Sequence, residues 1–239
     1  MTATTTIDFK RFASLKGEFE AEGLTRQDVA AEALFAARNG LDYLVKISGC
    51  EAKSDIFYLA DLGITAIVAP MIESGFAMQK YMEMLPAGTF HEVGVTIETV
   101  TAIANIDDIV RNGKQLTEIT VGRTDLTASW GGDSVESPRT IAMVKTAAKA
   151  ARTAGLKVTM GGSVSRQTRE LLQGDGELRG LLDYIETRKA VMPVEQFLDE
   201  TTLGHALALE EVLLRRRARE SERTLPTVNA RLTALAKRG

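Results

Sequence analysis

Short apolar runs alternate with longer helical patterns along most of this chain, and that alternation limits its possible folds more than any other feature. Strand-like runs fall at residues 15–22 (LKGEFEAE), 42–48 (DYLVKIS), 65–70 (TAIVAP), 93–98 (VGVTIE), 118–123 (EITVGR), 157–162 (KVTMGG) and 184–191 (YIETRKAV). Helical patterns lie at 26–39, 53–62, 75–85, 101–112, 138–154 and 165–173. Strands separated by helices long enough to cross back over a sheet argue for βα units and parallel pairing. Gly40, Gly63 and Gly155 each stand between a helix and the next strand, as C-cap glycines do.

Seven strands are visible, and a closed TIM (β/α)8 barrel takes eight. The eighth is expected to be irregular, within residues 1–14, or missing. An open doubly wound sheet calls for a Gly-rich phosphate loop after its first strand, and residues 23–26 (GLTR) do not supply one. The expected architecture is therefore α/β: a (β/α)8-type barrel over residues 1–193 and a C-terminal helical extension over 194–239, packed on the barrel or on a neighbouring subunit. In that extension a long helix is expected over 194–223 and a second over 227–237. Its basic run, Arg215, Arg216 and Arg217, lies among Glu210, Glu211, Glu220 and Glu222, which suits a solvated or subunit-contacting face better than a polyanion site.

A net charge of −3 gives no support for nucleic-acid binding, which calls for a basic face. The single cysteine, Cys50, precludes an intrachain disulfide framework and suits a reducing compartment. No run approaches the roughly 20 apolar residues of a membrane span. The start (MTATTTI) lacks a charged-then-apolar signal pattern, so a cytoplasmic location is expected.

Glu98 closes one strand-like run, and Asp125 stands just beyond the next. In a parallel sheet both acids reach the same rim, and two hard oxygen donors converging there suit a magnesium- or manganese-type ion. A single acid in such a place is often only a helix cap. Two on successive strands are harder to explain that way. On the 15–22 run, Glu18, Glu20 and Glu22 share one face if the strand persists, either in water at an edge or facing a cation inside. Lys46 sits late in an otherwise apolar run. It either snorkels to solvent, points into the barrel mouth as a cation for an anionic substrate, or serves as a Schiff-base amine. Glu73 follows another strand end. Gly161–Gly162 either lets backbone approach a ligand or makes a plain turn. With only His91 and His205 present, neither at a strand's carboxyl end, zinc is not expected.

Three segments, 67–77 (IVAPMIESGFA), 95–105 (VTIETVTAIAN) and 119–131 (ITVGRTDLTASWG), resemble the HpcH/HpaI aldolase/citrate lyase family of the phosphoenolpyruvate/pyruvate barrels. The resemblance spans about residues 40–165. It implies a class II aldolase or carbon–carbon lyase acting through the enolate of pyruvate or a related 2-oxo acid, usually with an aldehyde as the other substrate. It also implies Mg2+ or Mn2+ held by Glu98 and Asp125, and a homo-oligomer, trimeric or hexameric. Substrate contacts are expected from Thr124 and Asp125, whose backbone holds the substrate carboxylate in this resemblance, and from Arg123 and Glu73. Lys46 stands where the family's aldolases carry an arginine, so the charge is kept and the planar fork is lost. The histidine those aldolases use in acid–base work has no counterpart, which leaves Glu20, Glu22 or a metal-bound water to move the proton. Arg123 stands where a small residue or proline is common. Two alternatives remain open: a lyase or hydrolase of another 2-oxo acid or acyl-CoA by the same chemistry, or a barrel without catalysis that serves as a binding or scaffold subunit. No arginine-rich surface for a CoA nucleotide can be matched.

Overall fold

The structure, a computed structural model, describes residues 6–236. Eight strands close into one barrel in sequence order. They are β1 (Ser14–Glu18), β2 (Asp42–Lys46), β3 (Ala66–Ala69), β4 (Glu92–Ile97), β5 (Glu118–Gly122), β6 (Lys157–Gly161), β7 (Tyr184–Glu186) and β8 (Ala190–Pro193). The first seven pair in parallel, whereas β8 runs antiparallel to both β7 and β1. The helices are α1 (Phe19–Glu22), α2 (Arg26–Arg38), α3 (Lys53–Asp61), α4 (Gly75–Met84), α5 (Val100–Ala104), α6 (Ile106–Asn112), α7 (Arg123–Ser129), α8 (Pro138–Thr153), α9 (Arg166–Gly174), α10 (Gly176–Leu181), α11 (Val194–Leu198) and α12 (Thr202–Ala236).

Three sequence expectations are corrected here. The run at 184–191 is a tight β-hairpin: Thr187 N–H donates to the Ala190 carbonyl, and Lys189 is already on the way back. That hairpin supplies the eighth strand, which the described part of residues 1–14 does not; residues 1–5 lie outside the described residues. The acidic run at 15–22 leaves the sheet at Glu18, and residues 19–22 form the single turn α1, ended by Gly23 in the left-handed conformation (φ 59°). Glu20 and Glu22 therefore do not continue the Glu18 face. At the C-terminus a short α11 precedes one continuous α12 that runs through Pro226, where two separate helices were expected.

Side-chain alternation divides the strands between two environments. Leu15, Val45, Ile67, Val95, Ile119 and Val158 point outward into the apolar layer beneath the helices. Facing inward, Leu44, Ala66, Val68 and Val191 form a small apolar plug. Above the plug the inner face is polar, with Lys16, Glu18, Lys46, Thr96 and Thr120. Helix α12 packs on the body through Ala206, Leu209 and Leu213. Arg217 ties it to the Glu22 and Gly23 carbonyls at 2.9 and 3.0 Å, and Arg215 pairs with Glu211 on its own helix. No helix among the described residues is long and apolar enough to cross a membrane.

Glu118, at the amino end of β5, is buried inside the barrel. Burial, then the Glu92 and Glu186 charges, push its carboxyl up to about 7 from 4.5, against the pull of Lys157. An acid with a raised pKa in the folded chain makes that state bind protons more tightly, so stability falls as pH rises from 4.5 to about 7. Glu118→Gln is expected to stabilise the protein at pH 8 by about 1–3 kcal/mol and much less at pH 4. Urea denaturation at both pH values checks this; an equal effect at each contradicts it.

Candidate active site

The carboxyl ends of the strands open on a cavity of about 500 Å3. Glu98 directly follows β4 and is buried. Thr96, two residues earlier on the same inner face, donates its hydroxyl to Glu98 Oε1 at 2.7 Å, and Met71 N–H donates to that atom at 3.2 Å. Met71 holds a left-handed backbone (φ 53°), a strained conformation for a non-glycine residue at the rim of the site. Glu98 Oε2 accepts no hydrogen bond among the described residues. It lies against Gly122, where an added Cβ would come within 2.8 Å, so a side chain at 122 would displace the carboxylate.

Gly122 is also the N-cap of α7, whose first turn carries Asp125. Asp125 is exposed, lines the same cavity and has no partner among the described residues. The buried Thr120 hydroxyl, on the same wall, also has no partner among the described residues. Among the described residues no three His, Cys, Asp or Glu side chains converge as a metal cluster. Two carboxylates with uncommitted oxygens still fit Mg2+ or Mn2+, which are commonly held by one or two carboxylates with substrate or water completing the shell.

Opposite these acids lies a buried chain of ion pairs. Lys16 Nζ is 2.8 Å from Glu18 Oε1 and 2.5 Å from Glu186 Oε1. Lys46 Nζ bridges Glu18 and Glu98 at 3.5 and 3.6 Å, and Arg188, on the β7–β8 turn, reaches Glu18 Oε2 at 3.1 Å. Burial alone would raise Glu18, but Lys16, Lys46 and Arg188 outweigh it and hold the carboxyl down at about 2. Burial alone would lower Lys16, and the Glu186 and Glu18 charges raise it instead. Lys16 and Glu18 therefore both stay charged across the neutral range.

A third feature is the space before the first N–H groups of α7. Gly162 sits over it at φ 83°, and a Cβ there would approach Thr124 N to 2.5 Å and Arg123 N to 2.7 Å. Thr124 Oγ1 and Ser163 Oγ, 3.0 Å apart, close the side. Gly162→Ala is expected to cost about 1–3 kcal/mol through backbone strain. It should also weaken binding of oxalate, a planar dicarboxylate. Thermal melts with and without oxalate check both effects, and unchanged oxalate stabilisation counts against the second.

The structure brings Lys46, Glu98, Thr124 and Asp125 to one cavity. It does not bring the other expected site residues there. Glu20 points to solvent, because the strand has already ended. Glu22 turns away to Lys189, which also holds Glu32 at 2.7 Å beneath α2. Arg123 is fully buried and clamps the loop after β6, donating to the Gly161 and Gly162 carbonyls and to Thr168. Glu73 accepts the Thr99 hydroxyl at 2.6 Å and braces the loop after β3 from outside the cavity lining. Lys16, Thr120, Glu186, Arg188 and Glu210 line the cavity and were not singled out from the sequence. Lys16 and Thr120 could have been found, since period-two alternation puts Lys16 on the Glu18 face and Thr120 on the Gly122 face.

Glu98 and Asp125, with oxygens open to the cavity, thus share it with Lys16 and Lys46. The HpcH/HpaI aldolase/citrate lyase family model matches residues 26–176, a stretch that includes Lys46, Glu98 and Asp125. This chain belongs to that family. The family's chemistry makes it a lyase- or aldolase-type enzyme. No curated protein matches the sequence significantly.

Solved structures share the fold at low identity. A HpcH/HpaI aldolase/citrate lyase family protein from Burkholderia cenocepacia J2315 is 17% identical with a TM-score of 0.63, covering 84% of this chain and 85% of that one. The citrate synthase SbnG is 14% identical with a TM-score of 0.63, covering 86% of this chain and 85% of its own. Haloferax volcanii malate synthase, in a ternary complex with pyruvate and acetyl-CoA, is 14% identical with a TM-score of 0.58, covering 78% of this chain and 60% of its own.

Proposed function

We propose that this enzyme makes or breaks a carbon–carbon bond through the enolate of pyruvate or a close 2-oxo acid, with Mg2+ or Mn2+ held by Glu98 and Asp125. The observation that carries this reading is the pair of open carboxylates, Glu98 Oε2 and Asp125, on one wall of the cavity. A divalent ion there would supply Lewis acidity to the carboxylate and keto oxygens of the substrate. The malate synthase that shares the fold has been solved with pyruvate, which supports a 2-oxo acid as the class of substrate.

The chain's own residues would do the rest. Lys46, with Lys16 behind it, brings fixed positive charge to the side where an enolate oxygen develops, and preorganised charge of this kind lowers the barrier. The N–H groups beneath Gly162 and the Thr124 hydroxyl receive the substrate carboxylate. The unpaired Thr120 hydroxyl is free to donate to a substrate oxygen. Glu18 is unsuited to proton transfer, because the cations around it hold it ionised down to about 2. Glu210, on α12, lines the cavity without an ion-pair partner among the described residues, and we assign the C3 proton to it.

Proton exchange at C3 of pyruvate in deuterated water, followed by NMR with Mn2+ or with EDTA, tests the reading. Exchange that requires the ion and falls strongly in Glu210→Gln is expected. No exchange with either ion, or exchange indifferent to EDTA, overturns it.

A further inference from the structure

A second cavity, of about 550 Å3, lies beside the barrel mouth, between the first turn of α9 and the stretch from α11 into α12. Leu207 lines both cavities, so the two spaces share a wall. Phe197 and Leu203 give the second one apolar sides, while Arg166 and Arg169 make one face basic. Glu200 also lines it, yet among the described residues no carboxylate lies within ion-pair distance of either arginine. Among the described residues the buried Nε of Arg169 has no hydrogen-bond partner.

These features do not serve the stability of α9. A buried donor without an acceptor costs about 1–3 kcal/mol. Two cations in the opening residues of a helix also oppose its dipole, which favours negative charge there. Arg166 and Arg169 are three apart and share one helix face. An anion between them would pair with the two guanidinium groups and turn the unfavourable end charge into a favourable one.

We infer that this cavity is an anion subsite, holding a carboxylate or phosphate at the far end of the second substrate while its reacting carbon lies in the barrel mouth. The identity of what reacts in the mouth rests on the enolate reading; the basic cavity stands apart from it. An acceptor with a terminal anion would cross Leu207 to reach the arginines. An acceptor lacking one would leave them unsatisfied and be used less well.

The test has two arms. Calorimetric titration of the full chain with inorganic phosphate is expected to saturate in the wild type and to weaken by about tenfold or more in Arg166→Ala/Arg169→Ala. Condensation of pyruvate is then compared for glyceraldehyde 3-phosphate against glyceraldehyde, and for 5-oxopentanoate against pentanal. The preferred pair tells phosphate from carboxylate. In the variant the KM of the anionic acceptor should rise about tenfold with kcat little changed, while C3 exchange of pyruvate alone stays as in the wild type. Arg166→Ala, at an exposed position, gives the same comparison if the double variant melts early. Phosphate binding that is absent or independent of the arginines, or an anion preference that survives their loss, overturns the subsite. Arginine-dependent phosphate binding without pyruvate exchange supports the subsite and overturns the enolate reading.

Discussion

Replacing Glu98 or Asp125 with alanine is expected to lower metal-dependent C3 exchange of pyruvate by about a thousandfold or more, since Lewis-acid stabilisation of this kind supplies several kcal/mol. The two variants should differ in stability while agreeing in activity. Asp125 is exposed and has no partner among the described residues, so Asp125→Ala should unfold at the wild-type urea concentration. Glu98 is buried against Lys46, Thr96 and Met71, and its removal should cost about 1–3 kcal/mol. Circular dichroism and denaturation separate loss of fold from loss of chemistry. Full exchange in either folded variant would sink the assignment of the ion to these carboxylates.

Lys16→Met is expected to destabilise the protein by about 3–5 kcal/mol, because it strips the nearest cation from two buried carboxylates, Glu18 and Glu186. The pH dependence gives the effect a signature. Glu18 lies below its ordinary value when folded, so its stabilisation is present above pH 4.5 and is lost as pH falls towards about 2. Lys16 lies above 10.5 when folded, so its contribution is complete below that pH and is lost only as pH rises through the folded value. Urea denaturation at pH 7 and pH 3 should show a smaller acid loss in Lys16→Met than in the wild type. A variant within about 1 kcal/mol of the wild type at pH 7 would mean that solvent reaches these pairs and screens them.

The acid pair and the lysine facing it were legible because each stands at or near the end of a run with a clear period. Residues 93–98 and 118–123 alternate cleanly, and parallel pairing carries their last residues to one rim whatever the details of the barrel. Residues 15–22 misled for the same reason, since alternation continued past the point where the chain turned. Nothing local told Glu20 from Glu18, because the four residues of α1 form a turn ended by Gly23 and packed under Arg217, far along the sequence. The run 184–191 hid a reversal with no Asn-Gly or Gly-Gly turn to mark it. Without that reversal Glu186 and Arg188 could not be placed at the mouth.

What the sequence determined by itself was the order of the seven parallel strands and the main helices between them, the rim on which Glu98 and Asp125 stand, and the family they belong to. The first two follow from period and spacing, which are local properties of the chain, and the family follows from the motifs at 67–77, 95–105 and 119–131. Tertiary structure decided the closure of the barrel by an antiparallel β8, the pairing of Lys16 and Lys46 around Glu18, and the turning of Arg123 from a substrate contact into a clamp. It also decided that Arg166 and Arg169 face a cavity. Each of these depends on which distant groups are close enough to neutralise a buried charge, and only the closed fold brings those groups within reach of one another.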